Sequence, residues 1–189
     1  LIAENKRKAD EAVALQKSFP LEWKLNKTES ADILFKGYES AKKPSEVSGA
    51  ERLFYNRNQP YTRKIKEWNT FDPAITVEKP VAYIIPQAWD RVIALLKLNN
   101  VKLKQLKADT KVSVESYYIT DFKTSTRPYE GHYLHSVTKV KPVLQDLQYY
   151  TGDYVVYVNQ PSNRYIVETL EPQATDSFFN WNFFDSILD

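Results

Sequence analysis

Neither cysteine nor methionine occurs in the chain. Without cysteine there is no disulfide framework, no thiolate metal site and no thiol nucleophile, and its absence fits any redox compartment. Without methionine there is no initiator. Because the chain opens LIAENKRKADEAV, in helical register, it reads as a piece of a longer polypeptide. Glycine is scarce, at 4 of 189 residues, so a glycine-rich phosphate cradle is excluded, and no G-x-x-x-x-G-K-S/T run is present. There is no G-x-S-x-G elbow to single out a serine nucleophile. The longest apolar runs, Tyr154–Val158 and Val92–Leu96, fall far short of the ~20 residues that a membrane span requires. Charge of one sign is also lacking: the formal net charge is +2, which argues against nucleic acid or an acidic membrane surface as the main partner.

What is present is β-forming and aromatic. The sequence is organised around Asp153–Leu188, which opens with the β-branched and aromatic run Tyr154–Val158, suited to a strand covered on both faces. Ser162 or Asn163 then caps a helix near 162–171, with Tyr165, Ile166 and Leu170 on one side and Pro172 at its end. Asp176 or Ser177 caps a second helix near 176–188, dense in aromatics. There Phe179, Phe183 and Ile187 form one stripe and Trp181, Phe184 and Leu188 another. Phe178, Phe179, Trp181, Phe183 and Phe184 are too apolar for a solvated helix, so they are expected to pack on the preceding sheet or on a neighbouring domain.

Upstream, residues 1–18 read as a charged connector helix, and 19–189 as a single β-rich domain. Leu21, Trp23 and Leu25 alternate with polar residues, as in a strand with one apolar face. Ile33–Tyr38, Arg52–Tyr55, Val81–Ile85, Val101–Leu106, Gly131–Val140 and Val143–Tyr150 read as further strands, while Arg57–Phe71 resists assignment. From Pro86, Trp89, Val92, Ile93 and Leu96 recur with helical period and predict an amphipathic helix near 86–99. Along Val112–Phe122 the apolar residues change parity, which predicts a bulge near Ser116. The expected class is α+β, mainly β with helices, in the form of an antiparallel β-sandwich with peripheral helices.

Candidate chemistry is sparse. The stretch Arg127–His135 gathers Glu130, His132 and His135, all ordinary zinc ligands, yet on a strand Glu130 and His132 share a face while His135 points the other way. The competing reading is a strand edge carrying polar side chains. The carboxylate pairs Glu168 with Glu171, and Asp176 with Asp185, could serve acid–base chemistry, but an exposed helix residue and an N-cap account for Glu168 and Asp176 as simply. Tyr55, Tyr61 and Trp68 lie in a basic, aromatic stretch that could stack nucleic-acid bases or sugars, or be core aromatics beside surface cations.

Several runs carry a resemblance: FKGYE at Phe35–Glu39, KPSEVSG, RLFYNR, AYIIPQAWDRVIALLK, EGHYLH and, most distinctive, LEPQATDSFFNWNFFD. Together they resemble a portion of large bacterial proteins of the zinc carboxypeptidase family, C-terminal to the carboxypeptidase A-like catalytic domain. That domain binds zinc through a His-x-x-Glu pair and a later His. No such pair maps here, because His132 is followed three residues on by His135, and His135 by Thr138. The resemblance implies a non-catalytic accessory domain that packs against an upstream peptidase domain of the same chain. Zinc and peptide substrate would belong to that parent, and the setting would be secreted or periplasmic. The fragment itself would hold no cofactor. The alternative is a free-standing glycan- or peptide-binding β-sandwich module, and whether the fragment has enzymatic activity of its own stays open.

Overall fold

The computed structural model describes residues 1–188. The elements follow in the order α1 (Ile2–Leu15), β1 (Ser18–Leu25), β2 (Ala31–Pro44), β3 (Glu51–Glu67), β4 (Phe71–Glu78), β5 (Ala82–Ile85), α2 (Asp90–Leu98), β6 (Lys104–Gln105), β7 (Thr110–Thr124), β8 (His135–Tyr149), β9 (Tyr154–Tyr157) and α3 (Asn163–Leu170), with a short 3-10 turn at Asp185–Ile187. The class is α+β, as expected. Among the described residues, strands pair as β1–β4, β2–β3, β5–β9–β6 and β7–β8. Pairing is antiparallel within β2–β3, β5–β9–β6 and β7–β8.

Two compact units divide the chain: Lys24–Asp72 forms one, and the residues on either side of it form the other. The smaller unit is built on the β2–β3 ribbon, longer than its sequence suggests. The pieces read as Ile33–Tyr38 and Arg52–Tyr55, with the unassigned Arg57–Phe71, are largely one hairpin, running from Ala31 opposite Glu67 to Pro44 opposite Glu51. The hairpin tip lies between Pro44 and Glu51, where the Ser45 carbonyl accepts from Gly49 N. A register shift between Tyr38 and Ser40 hides the ribbon's alternation from a period-two reading.

The larger unit holds the hydrophobic core. Phe19 and Leu21 from β1, Val92, Ile93 and Leu96 from α2, Val156 and Val158 at β9, and Ile166 and Val167 from α3 are buried there. In α2 the residues Val92, Ile93 and Leu96 fall on one face, as their spacing predicts. Pro86–Trp89 lies before the helix rather than in its first turn. No residue of α1 is buried. Val101–Leu106 contributes only the two-residue strand β6, and Val101 enters the core as part of a loop. Along β7 burial does change parity between Ser116 and Tyr117, but the pairing slips later, at Ile119–Asp121 and Asp121–Lys123.

The C-terminal segment departs most from expectation. The second helix, expected near 176–188, is a chain of turns that closes in the short 3-10 turn. Polar side chains take over the backbone partners a helix would use: Ser177 Oγ accepts from Asn180 N (3.1 Å), and Asn180 Nδ2 donates to Ala174 O (2.7 Å). Asn182 then turns left-handed at φ 65. The unit itself nonetheless buries Phe178 and Phe179 and half-buries Trp181, Phe183 and Phe184. Phe178 meets Phe183 (5.0 Å between ring centroids), Phe179 meets Phe122 (5.5 Å) and Phe184 meets Trp89 (4.8 Å).

Candidate functional site

The larger unit contains a cavity of about 670 Å³, within the range of small-ligand sites. Its walls come from elements distant in sequence. The β5–β9 pair contributes Tyr83 and Tyr157, with Tyr83 opposite Val156 and Ala82 opposite Tyr157. Strand β7 contributes Glu115 and Tyr117, which share a face because they are two residues apart, and the end of β8 contributes Tyr149. Glu171 arrives from the C-terminus of α3, where it is the cap residue in extended conformation. The remaining lining is mostly aliphatic, including Val112, Val114, Val155 and Leu170.

Glu171 is buried, at 4% exposure, and accepts a short hydrogen bond of 2.5 Å from the Tyr83 hydroxyl. Burial pushes its carboxyl above the usual range. Hydrogen bonds from Tyr83 and Tyr117 pull the other way, and the Glu115 charge adds to the rise. The negative end of the α3 dipole also disfavours an anion at this position. Tyr83 and Tyr117 are themselves shifted upward, first by burial and then by the Glu171 charge, so both stay phenols and donate. The result is a carboxylate held at the cavity's inner wall by the Tyr83 hydroxyl, with Tyr117 lining the same cavity and a second carboxylate, Glu115, exposed at its edge. Such a set can receive a cation or exchange a proton.

The sequence places Glu168 beside Glu171, but the two serve different surroundings. Glu168 pairs with Arg164 (2.5 Å) on α3; burial raises its carboxyl, and the Arg164 charge opposes that rise. Asp176 and Asp185 do not form a working pair either. Asp176 accepts from the Trp181 ring nitrogen (3.4 Å), whereas Asp185 lies at His135.

Glu130, His132 and His135 have separate environments. The segment expected as a strand edge instead makes a tight reversal: Tyr129 and His132 exchange backbone hydrogen bonds, and Glu130 and Gly131 between them have φ 49 and 84. Glu130 is exposed. His132 packs edge-on against Trp181 (5.4 Å) and parallel to Phe183 (6.4 Å). His135 is buried, with Nδ1 3.1 Å from Thr124 Oγ1 and Nε2 3.0 Å from Asp185 Oδ1. A metal bound through His135 would have to displace one of those partners, and among the described residues no three His, Asp or Glu side chains are grouped to hold one. Because Gly131 sits left-handed, Gly131→Ala should lower stability by about 1–2 kcal/mol, read as a shift in the thermal midpoint.

Tyr55, Tyr61 and Trp68 belong to the smaller unit and are spread along its ribbon. Tyr61 lies opposite Gly37, whose missing Cβ makes room for the ring: a Cβ there would sit 2.8 Å from the Tyr61 hydroxyl. Arg63 stacks over the same ring at 4.0 Å. Tyr55 is opposite Ser40, beyond the register shift, and Trp68 follows the last paired residue; both are exposed. Sequence reasoning missed the tyrosine cavity, since its residues lie on four strands and a helix end. The one available signal was Glu171 beside Pro172 at the end of an amphipathic helix.

No helix among the described residues is long and apolar enough to cross a membrane. No family model matches the chain, and no solved structure matches it. Part of it is similar to curated fungal proteins named Carboxypeptidase 2. That of Trichophyton rubrum is 29% identical over 107 residues, which cover 57% of this chain and 20% of the relative. That of Trichophyton tonsurans is 29% identical over 104 residues, covering 55% of this chain and 19% of the relative. The match therefore spans about a fifth of the length of these relatives, and on this similarity the chain contains a carboxypeptidase-related region.

Proposed function

We propose that this chain is a non-catalytic accessory region of a larger carboxypeptidase-like protein, packing against a peptidase domain that carries the zinc and the peptide substrate in a secreted or periplasmic setting. The observation that supports this most directly is the partial similarity to carboxypeptidases, about half of this chain against about a fifth of each relative. A second supports it: both ring nitrogens of His135 are already engaged within the chain, so this histidine acts as an internal fastener. The test compares the whole parent protein with a version lacking this region. Deletion should lower the melting temperature of the remaining peptidase part, while the 189-residue chain alone, supplied with zinc, should release no C-terminal residue from blocked peptides. Chelator-sensitive release of C-terminal residues by the chain alone would refute the proposal.

One observation favours the second reading, a glycan- or peptide-binding module: the cavity walled by tyrosines in the larger unit.

A further inference from the structure

We propose that the cleft walled by Tyr83, Tyr117, Tyr149 and Tyr157 binds a lysine or arginine side chain of a peptide, with Glu171 at its inner wall and Glu115 at its edge as countercharges. This gives the second reading its ligand class, and it leaves the accessory reading untouched.

The lining selects for a cation on an apolar stem. It holds two carboxylates and no lysine, arginine or histidine side chain. Phenol rings attract cations through their negative faces, and that attraction grows as water is removed. The chain itself offers an instance at Tyr157, where Lys104 Nζ rests 5.1 Å from the ring centroid. Aliphatic walls at Val112, Val114 and Leu170 suit the methylenes of a lysine or arginine, which bury their stems while the charged head reaches a partner.

Glu171 supplies the strongest indication. A buried carboxylate at the negative end of a helix, with a second carboxylate acting on it, is disfavoured three times over. An ammonium or guanidinium in the cleft would oppose all three effects at once. The Tyr83 phenol holds the carboxylate in position before any ligand arrives, so little ordering remains to be done on binding. A volume of about 670 Å³ accommodates a whole side chain with adjoining backbone rather than a bare ion. That favours a residue of a peptide over a free metal or a small amine.

The test titrates the 189-residue chain with doubly blocked lysine, arginine and norleucine, and with butylamine, by calorimetry and by chemical-shift changes at the cleft tyrosines. Blocked lysine and arginine should bind, and norleucine, which keeps the stem without the charge, should bind about tenfold or more weakly. Glu115→Gln and Glu171→Gln should each weaken lysine binding about tenfold or more with the chain still melting cooperatively. Weaker binding of butylamine than of blocked lysine assigns the site to a peptide; equal binding assigns it to a free amine and overturns the peptide assignment. Equal affinity for norleucine and lysine, unchanged affinity in Glu115→Gln, shifts confined to residues outside the cleft, or no binding of any probe each overturn the inference. None of these outcomes bears on whether removing the region destabilises a peptidase domain, so the two proposals can fail separately.

Discussion

Replacing Phe179 by alanine is expected to remove about 3–5 kcal/mol of stability. Phe179 is 4% exposed, and its ring stands perpendicular to Phe122 at 5.5 Å and tilted to His135 at 5.2 Å. Truncation removes the transfer free energy of the ring and leaves a void between the β7–β8 hairpin and the C-terminal turns. That segment has few ways to collapse into the space, because Asn180 ties it to Ala174 and to Thr138 Oγ1 (3.0 Å). The loss is a large share of the ~5–15 kcal/mol that a domain typically possesses. In urea titration the midpoint should fall with the slope unchanged. Ile187, 66% exposed in the same segment, supplies the control: Ile187→Ala should stay within about 0.5 kcal/mol of the parent. A change at Phe179 as small as that of the control would mean that the aromatic tail is not docked.

Glu171 should produce the second-largest effect, and its sign depends on the substitution and on pH. Glu171→Ala leaves the Tyr83 hydroxyl without its acceptor in a partly buried place, at a cost of about 1–3 kcal/mol. Glu171→Gln keeps an acceptor and imitates the protonated carboxyl. In the folded chain the carboxyl titrates above its ordinary value, so the folded state holds a proton that the unfolded chain has released over the window between the two. Stability from this group is therefore fully present below the ordinary glutamate range and is lost as pH rises through the folded value. Thermal midpoints of the parent should fall relative to those of Glu171→Gln across that window, then run parallel to them at higher pH. Parallel curves throughout, or a difference that grows toward acid, would contradict burial as the dominant influence on this carboxyl.

The parts of the fold that sequence makes legible are those whose period survives packing. α2 is one: Val92, Ile93 and Leu96 recur as a helix requires and are buried as such. β9 is another, since its β-branched run is the middle strand of its sheet. The β2–β3 ribbon is obscured because a register shift and an internal Pro60 interrupt the alternation, and because a ribbon with much of its surface in solvent has no need of a clean apolar face. The aromatic tail misleads for a different reason. Its rings have helical spacing, but Ser177 and Asn180 compete for the backbone, Asn182 turns left-handed, and tertiary packing holds the rings without a helix. The tyrosine cleft has no local signature, because four strands and a helix end contribute a residue or two each. Glu130 and Gly131 carry a turn signal that was overshadowed by the two histidines beside them.

The strand order β5–β9–β6 has a consequence for how a ribosome would make this protein. β9, last of the three to be synthesised, is the one the other two hydrogen-bond to. The β2–β3 and β7–β8 ribbons can zip as soon as their second strands emerge, because each joins sequence neighbours. β5 and β6 must instead wait with unsatisfied edges until Tyr154–Tyr157 leaves the exit tunnel. A nascent chain stalled before that point is the species a chaperone would have most reason to hold.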